Sequence, residues 1–360
     1  MARLDVTGAK KPVRILILGT GGMARNHAEN FARIEGVTLV AGIDTRPQQL
    51  KDFCDKHKIA NGFASIQDAI AWGEFDAVTN VTPDAAHYAT TMPVLAAGKH
   101  ILCEKPLSTN EAQAAEMADA AAKAGVVNMV NLSYRNGSAL QEAAKMVRAG
   151  AIGEIRHFEA SYLQSWLTQP AWGHWDKESQ WLWRLSTKHG SKGVLGDVGI
   201  HILDYATFIA GQDVQEISCR LATFPKAPGD QIGDYPLDAN DSATMQVVLA
   251  NGALGVVTAT RFASGHLNDL RLGIFGTKGG LEVTFENNVS LLRACLEPDM
   301  QQAFWHDVPA PVLGTIYERF IGAIRGETPA EPDFARGALL QKMLDRAEQS
   351  AAQRGLSLMV

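Results

Sequence analysis

The segment that most restricts the fold is an apolar run followed at once by a glycine loop. Val13–Leu18 reads as a buried strand, the loop follows it, and the stretch from Ala24 to Arg33 has helical character. In such a unit the first glycine permits a tight turn, the second lets a pyrophosphate approach the backbone, and a small third residue lets helix and strand pack closely. We expect this loop to bind a dinucleotide at the helix N-terminus, through Gly19, Thr20, Gly21, Gly22, Met23 and Ala24.

A second apolar strand, 38–43, ends in Asp44, about 20 residues after the loop, where an acid that binds the adenosine ribose is expected. We therefore predict that Asp44, with its neighbours Thr45 and Arg46, contacts the cofactor. The alternative is that Asp44 caps the helix that begins near Pro47. A carboxylate repels a 2′-phosphate and favours NAD, whereas Arg46 could accommodate NADP, so NAD is the expectation and NADP stays open.

The alternation of strands, loops and helices continues beyond this point. The strand 75–81 leads into Thr82 and Pro83, and a helix that carries His87 ends at Gly98. A further apolar run, 100–103, leads directly into Glu104-Lys105-Pro106, and the pattern closes with a strand at 126–132. This order predicts a doubly wound parallel sheet, with Thr82, Pro83 and His87 facing the same crevice as the glycine loop.

Composition agrees with two ordinary cores and limits the partners. The chain has 360 residues, of which 46% are hydrophobic and 20% charged, and chains of this length usually split into domains. A net charge of −6 without a Lys/Arg block argues against nucleic acid or an anionic membrane as a partner. The four cysteines are widely spaced, and the first eleven residues are polar, so we expect neither disulfides nor export, and a cytoplasmic location.

After residue 153 the pattern changes to long strands with turns. Residues 244–250 and 253–261 flank Asn251-Gly252, which predicts a hairpin with a type I′ turn, and 270–275 and 281–285 flank the loop 276–280 as a second hairpin. We expect an α+β domain with a large, mainly antiparallel sheet that has helices on one face. Its open face predicts a homo-oligomer, a dimer or a tetramer.

Four segments together resemble the Gfo/Idh/MocA family of sugar and cyclitol oxidoreductases, over nearly the whole chain. They are the glycine loop, Thr82-Pro83 with His87, the run 97–107 that contains Glu104-Lys105-Pro106, and the run 196–204 that contains Asp197 and His201. The resemblance implies an N-terminal Rossmann domain and an NAD(P)-dependent dehydrogenase with a sugar or cyclitol substrate. It also implies a cis peptide bond before Pro106, which presents Lys105 toward the nicotinamide, and a contact between Glu104 and the nicotinamide ribose. An NAD-using glycosidase of the same fold, or a cofactor or sugar sensor, is the alternative.

Asp197, His201 and Asp204 recur at helical spacing in the apolar stretch 196–211, so they share one helix face. Removal of a hydroxyl proton during hydride transfer suits His201 as general base. Lys105 would hydrogen-bond the same oxygen, and Asp197 a neighbouring hydroxyl, so these three residues are the predicted catalytic set and also contact the substrate. The alternatives are a capped helix with a satisfied buried histidine, or a metal site, for which no third ligand is evident; we expect no metal.

The remaining expectations concern the second domain. Tyr134 and Arg135 are candidate substrate ligands, although such a pair is often interface packing and an ion pair. Five of the seven tryptophans lie between Ser165 and Arg184, where they form either a sugar-binding wall or a core. We place the Rossmann domain at 1–133, ordered from about residue 12, and the substrate and oligomerisation domain at 134–360, with the helix 334–354 packed back on the Rossmann domain.

Overall fold

The computed structural model describes residues 10–360, which form two compact units. Unit 1 comprises the described residues up to Leu132 together with Gly314–Ala338, and unit 2 comprises Ser133–Leu313 with Leu339–Val360. The first nine residues of the expected Rossmann domain lie outside the described part. The segment Gly314–Ala338, which the sequence analysis placed in the second domain, belongs to unit 1.

Unit 1 alternates strands with helices. Its elements are β1 Val13–Leu18, α1 Gly22–Phe31, β2 Val37–Ile43, α2 Pro47–His57, β3 Asn61–Phe63, α3 Ile66–Trp72, β4 Ala77–Asn80, α4 His87–Ala96, β5 His100–Cys103, α5 Glu111–Ala124 and β6 Asn128–Val130. The six strands are all parallel and lie in the order β3-β2-β1-β4-β5-β6. This is the doubly wound order, in which the chain reverses direction across the sheet between β1 and β4 and ligands bind beyond the carboxyl ends of those strands.

The segment Gly314–Ala338 belongs to unit 1 because its apolar side chains complete that core. Thr315 and Glu318 form a capping box at the start of the helix Ile316–Arg325. Tyr317 and Phe320 on this helix pack edge-on against Phe31 of α1. After the helix the chain reaches β6, where the backbone N–H of Val130 donates to the carbonyl of Pro332 at 2.9 Å.

Unit 2 is built around a nine-stranded sheet. Its elements are α6 Ser138–Arg148, β7 Ile155–Leu163, α7 Ser179–Leu182, α8 Ile200–Ala210, β8 Val214–Ala222, β9 Gln231–Ile232, β10 Tyr235–Pro236, β11 Ser242–Leu249, β12 Leu254–Thr260, β13 Asp269–Gly276, β14 Gly279–Glu286, β15 Val289–Leu296, β16 His306–Asp307, α10 Phe334–Ala352 and β17 Leu358–Met359. The helix Ile316–Arg325, which comes between β16 and α10 in the chain, is α9 and belongs to unit 1. Helix α10 starts in unit 1, and its residues from Leu339 onward belong to unit 2.

The large sheet has the order β16-β15-β14-β13-β7-β12-β11-β8-β17, and its pairs are antiparallel except β7 with β12. Helices α6 and α8 contact strands of the sheet, including β7, β12, β14 and β15. On β7 the residues Phe158, Ala160 and Tyr162 are buried, whereas Glu159 between them is exposed. The mainly antiparallel sheet predicted from the sequence is therefore confirmed, with helices on one face.

Both predicted hairpins form, but their turns differ from the prediction. Gly252 has φ 84°, whereas Asn251 is not among the described residues of positive φ, so the type I′ assignment is wrong. The turn is longer than two residues, because the N–H of Leu249 donates to the carbonyl of Ala253. In the second hairpin Gly276 pairs with Gly279, so those two glycines extend the strands and Thr277-Lys278 alone forms the turn.

Candidate functional site

The glycine loop has the geometry that a bound pyrophosphate requires. Gly19 has φ 93°, and a Cβ at this position would lie 2.9 Å from the carbonyl oxygen of Val81, so both the turn and the close approach to the β4 loop need glycine. At Gly21 and Gly22 none of the described heavy atoms lies within 4 Å of where a Cβ would be. Ala24 is fully buried at the third small position. The N-terminus of α1 is thus accessible to a phosphate and fits a dinucleotide.

Asp44 lies at the carboxyl end of β2 and is surrounded by donors. It accepts hydrogen bonds from the backbone N–H and hydroxyl of Thr20 and from the backbone N–H, Nε and Nη2 of Arg46, all between 2.8 and 3.0 Å. Burial alone would raise the pKa of Asp44, but the hydrogen bonds from Arg46 and Thr20 outweigh it and hold that pKa well below its usual range. The N-cap of α2 is Arg46, so Asp44 does not cap that helix.

The residues after β4 are tied to the strand. Thr82 donates from its backbone N–H and from its hydroxyl to Oδ1 of Asn80, at 3.1 and 2.7 Å. Pro83 follows, and His87 opens α4. The ring of His87 is fully buried, and its two nitrogens lie against the backbone carbonyls of Thr82 and Pro106. Its predicted direct contact with the cofactor therefore has no support in this geometry.

Glu104, at the carboxyl end of β5, is the centre of a buried polar network. Oε1 accepts from Nε2 of His27 at 2.8 Å and from Nδ2 of Asn131 at 2.6 Å, and Oε2 accepts from the backbone N–H of Lys105 at 3.2 Å. Burial alone would raise the pKa of Glu104, but the hydrogen bond and charge of His27, the charge of Lys105 and the hydrogen bond from Asn131 lower it to about 2. Glu104 is thus a carboxylate at neutral pH.

Lys105 follows directly and is partly exposed. The Lys105–Pro106 peptide bond is cis, as the family resemblance implied. The Glu104 carboxylate attracts the Lys105 ammonium, and the hydrogen bond to the Lys105 backbone fixes the start of its side chain. Unit 1 therefore places a cationic donor at the carboxyl end of a parallel sheet, at the same edge as the glycine loop.

In unit 2 Asp197 is held by two arginines. Nη2 of Arg261 donates to its Oδ2 at 3.1 Å, and Nε of Arg184 lies 3.8 Å from the same oxygen. Arg261 is fully buried, with its guanidinium carbon 4.9 Å from the centre of the Trp166 ring and its Nη1 donating to the carbonyl of Arg184. Asp197 is 28% exposed, so part of the carboxylate stays accessible to a hydroxyl.

The spacing predicted that Asp197 and His201 lie on one regular α-helix, but they do not. Leu195–Gly199 form a π-helical turn, and α8 begins at Ile200 and ends before Gly211, whose φ is 62°. π-Helical turns are rare and occur often at functional sites. Asp197 therefore belongs to a wider turn, and His201 to the first turn of the α-helix.

His201 is buried among tyrosines. The ring of Tyr134 meets it edge-on, with centroids 5.0 Å apart, and the ring of Tyr162 lies 6.4 Å away. The two tyrosine hydroxyls are 2.7 Å apart, and that of Tyr162 donates to Asn268 at 2.8 Å. Burial, with the neighbouring Tyr134 and Asp197, raises the pKa of Tyr162 well above its usual value, so it remains a donor. The fold thus places Tyr134 in contact with His201, the predicted general base.

Arg135 is placed differently from its neighbour. It is 6% exposed, and its guanidinium makes a two-point ion pair with Asp204 of α8, in which Nε donates to Oδ2 at 2.9 Å. Its Cζ also lies 4.2 Å from the centre of the Phe208 ring. This is the ion-pair alternative raised for Arg135, and the geometry gives no support to direct substrate contact. Asp204 faces this arginine.

The tryptophan-rich segment forms mainly a core. Trp166 is 1% exposed and belongs to a cluster with four buried leucines, against which three further tryptophans pack: Trp172, Trp175 and Trp181. Trp183, by contrast, is half-exposed, and the Arg184 guanidinium carbon lies 4.6 Å from its ring centre. The packing therefore supports the core interpretation for the first four.

Three residues of these networks escaped the sequence analysis: His27, Asn131 and Arg261. His27 donates to Glu104, which is 77 positions away, and Arg261 donates to Asp197, 64 positions away. Asn131 lies three residues before Tyr134 in the sequence, but only the fold shows that the Asn131 amide donates to Glu104. A polar residue inside an otherwise apolar helix face, as His27 is in α1, was the one available signal.

The described residues show neither a candidate metal site nor a membrane-spanning helix. Within residues 10–360, no group of three or more His, Cys, Asp and Glu side chains is arranged to hold a metal ion. Among the helices of the same residues, none is both long enough and apolar enough to cross a membrane.

Comparison with known proteins identifies the class. Residues 13–132 match the model of an oxidoreductase family with an NAD-binding Rossmann fold, and residues 140–282 match the GFO/IDH/MocA C-terminal domain. The chain belongs to this family, and it is an NAD-dependent oxidoreductase of the dehydrogenase type. The predicted fold class, family and cofactor are thereby confirmed.

Individual relatives agree. The chain is 32% identical over 354 residues to D-glucoside 3-dehydrogenase of Escherichia coli, covering 94% of this chain and 95% of the relative. It is 28% identical to levoglucosan dehydrogenase of Pseudarthrobacter phenanthrenivorans, covering 86% of each. A structure of levoglucosan dehydrogenase with NADH and levoglucosan superposes with a TM-score of 0.84 at 25% identity, covering 97% of this chain and all of that one. Nothing in these comparisons supports the glycosidase or sensor alternatives.

The ion pair of Arg135 gives a prediction that separates a structural role from substrate binding. Arg135→Met leaves the Asp204 carboxylate buried without its cation, which costs about 3–5 kcal/mol. We expect the apparent melting temperature to fall by about 10 °C. Arg148, exposed and 5.2 Å from the same Phe208 ring, is the matched control, and Arg148→Met should shift the melting temperature by only about 1–2 °C. A rise in the substrate KM at unchanged melting temperature would instead assign Arg135 to the substrate.

Proposed function

We propose that this enzyme oxidises a secondary alcohol or hemiacetal carbon of a sugar, sugar derivative or cyclitol, with Lys105, Asp197 and His201 as its catalytic residues. The observation that carries the proposal is that Lys105 and Asp197 each have a fixed support. Lys105 follows a carboxylate that three donors hold, and Asp197 lies between two arginines, one helical turn before His201. Two relatives are named for polyhydroxylated substrates, levoglucosan and D-glucosides, which supports a sugar or cyclitol as the substrate.

The glycine loop, Asp44 and Glu104 are the residues proposed to hold the cofactor. The main-chain N–H groups at the start of α1 face the pyrophosphate, Asp44 binds the adenosine ribose, and Glu104 binds the nicotinamide ribose. Thr20, Met23, Thr45, Arg46, Thr82 and Pro83 complete the proposed contacts. Bound NAD supplies a two-electron acceptor for the hydride that leaves the substrate carbon.

The protein residues then manage the proton and the charge. A nitrogen of the His201 imidazole accepts the hydroxyl proton as the carbon–hydrogen bond breaks and the carbonyl forms. The Lys105 ammonium donates a hydrogen bond to the same oxygen and stabilises the alkoxide charge that develops there. Asp197 accepts from a neighbouring hydroxyl, which orients the ring, and Arg261 keeps its carboxylate in place. Tyr134 lines the same part of unit 2.

We also propose that the chain associates with copies of itself through the outward face of the nine-stranded sheet. This face mixes charged side chains, such as Glu159 and Arg271, with apolar ones: Leu254 and Leu291 are 60% and 56% exposed. One face of an antiparallel sheet can face water, but exposed apolar residues on it favour burial against a second copy. A symmetric pairing would bring the same face of both chains together.

The proposed compartment is the cytoplasm. All four cysteines are buried free thiols, which suits a reducing environment.

Lys105→Met should reduce kcat by about 10²- to 10³-fold while NAD binding is largely retained, because the variant removes the donor to the reacting oxygen and leaves the glycine loop intact. Turnover is measured as NADH absorbance with a panel of pyranoses, anhydrosugars and inositols. Lys123→Met, at an exposed site on α5, is the control and should keep wild-type turnover. Full activity of Lys105→Met would refute the assignment. Cleavage of a glycoside by the wild-type enzyme without net NADH would favour the glycosidase.

The Asp44 network predicts a change of cofactor preference. Asp44→Ala removes the carboxylate that repels a 2′-phosphate and releases the Arg46 guanidinium to bind it. We expect the ratio of kcat/KM with NADP to kcat/KM with NAD to rise about tenfold or more. In the double variant with Arg46→Ala this gain should disappear. An unchanged ratio in the single variant would place the ribose away from Asp44.

The oligomer proposal predicts a particle larger than one chain in light scattering at micromolar concentration. Leu291→Asp places a charge in the proposed interface and should shift the population toward the monomer. Val312→Asp makes a similar change at a position that is 96% exposed in unit 2, and should leave the mass unchanged. A monomeric wild-type protein would contradict the proposal.

A further inference from the structure

His87 occupies an unusual position between two backbone carbonyls of unit 1. Its Nδ1 lies 2.8 Å from the carbonyl oxygen of Pro106, and its Nε2 lies 2.8 Å from that of Thr82. The residue is fully buried. Both contacts have the length of a normal hydrogen bond.

The chemistry of the two partners determines the charge of the ring. A neutral imidazole carries one N–H donor and one bare nitrogen that only accepts, and a carbonyl oxygen cannot donate. A neutral His87 would therefore hold a nitrogen lone pair against a carbonyl oxygen at 2.8 Å, in a place that water does not reach. A ring with both nitrogens protonated donates to each carbonyl and leaves no buried polar atom unsatisfied.

We propose that His87 is held permanently as an imidazolium, and that it is a positioning residue for Lys105. It connects the loop after β4, at Thr82, to the segment after β5, at Pro106. Lys105 is then held on both sides, because its own N–H donates to Glu104 and the carbonyl of the next residue accepts from His87. The positioning role depends on the proposed function of Lys105, whereas the charge of His87 does not.

Two side chains that face the ring favour the proton. They are the Asp84 carboxylate, in the short helix that precedes α4, and Cys103 at the end of β5, which hydrogen-bonds to the ring. Burial alone would lower the pKa of His87, but the interactions with Cys103, Asp84 and the Pro106 carbonyl outweigh it and raise the pKa to about 10. The folded-state pKa is above that of the unfolded chain. The stabilisation is therefore complete below about pH 6.5 and is lost only as the pH rises toward 10.

His100, in the same unit, provides an internal contrast. The backbone N–H of Val127 donates to its Nδ1 at 3.0 Å, so this nitrogen must be bare. Burial lowers the pKa of His100. Two histidines of unit 1 are thus expected in opposite protonation states at neutral pH. The hydrogen-bond partner of Nδ1 distinguishes them: a carbonyl for His87 and an N–H for His100.

The first experiment reads this difference directly in the wild-type protein. Nitrogen-15 labelling of histidine, with two-bond proton–nitrogen correlation spectra, distinguishes bare from protonated ring nitrogens. From about pH 6 to about pH 9 we expect both His87 nitrogens to be protonated and His100 to keep a bare Nδ1. Signals are assigned by their loss in His87→Gln and His100→Gln. A bare nitrogen on His87 near pH 7 would overturn the proposal.

The second experiment tests positioning. His87→Gln keeps a donor but lacks the charge and cannot reach both carbonyls with a rigid ring. We expect kcat to fall about tenfold or more with the Kd for NAD nearly unchanged, because a small displacement of Lys105 affects the reaction more than cofactor binding. His100→Gln should keep the wild-type kcat. An unchanged kcat in His87→Gln would overturn the positioning role.

The results for Lys105→Met and His87→Gln distinguish a failure of the His87 proposal from a failure of the proposed function. If Lys105→Met remains active, the proposed function fails although the His87 spectrum still shows two protonated nitrogens. If Lys105→Met is inactive and His87→Gln is fully active, only the positioning role fails. Should His87→Gln not fold, His87→Asn, which also keeps an amide donor, supplies the assignment and the kinetic comparison in its place.

Discussion

Unit 1 depends on the stabilisation of one largely buried carboxylate. The Glu104 side chain, at the end of β5, is only 13% exposed, and such a charge is costly unless donors replace most of the water. His27 from α1, Asn131 from the segment after β6 and the N–H of Lys105 supply them. Three parts of the nucleotide unit are therefore connected through a single side chain.

The same network orders the groups around it. Nε2 of His27 hydrogen-bonds to Glu104, and its Nδ1 hydrogen-bonds to the hydroxyl of Thr79 at 2.7 Å. Tyr317 of α9 packs edge-on against the His27 ring, with centroids 4.9 Å apart. Protonation of Glu104 would weaken each of these contacts. Its folded-state pKa is below the usual value, so the network stabilises unit 1 above about pH 4.3 and loses that contribution as the pH falls toward 2.

The sequence was sufficient where the signal is local. Gly19, the start of α1 and the apolar strands on either side are all decided within a few residues, and the strand order follows from the alternation of strands and helices. The side chains that support the site were not predictable in this way. Arg261 and Asp197 meet only because β12 ends beside the turn that precedes α8, and no periodicity encodes that meeting.

Local rules also misled where tertiary contacts decide the backbone. Asn251-Gly252 is a strong signal for a two-residue turn, yet Nδ2 of Asn251 donates to the carbonyl of Ile155, and its Oδ1 accepts from the N–H of Ala253. These contacts hold Asn251 in a longer turn. Similarly, Arg135 was a candidate substrate ligand from its place at a strand end, but Asp204 lies within its reach on α8 and is itself buried.

Two of the three candidate catalytic groups, one in each unit, share a feature: Lys105 and Asp197 are each accompanied by a charge of opposite sign that does not itself react. Glu104 accompanies Lys105, and Arg261 accompanies Asp197. A hydride transfer creates and then removes charge on one oxygen, and groups that are already oriented need not reorganise when it does. Arg261 is fully buried and packs on Trp166, whereas Asp197 stays partly exposed, as its proposed contact with a substrate hydroxyl requires. The tryptophan core therefore serves the site indirectly, because it holds the arginine that holds the acid.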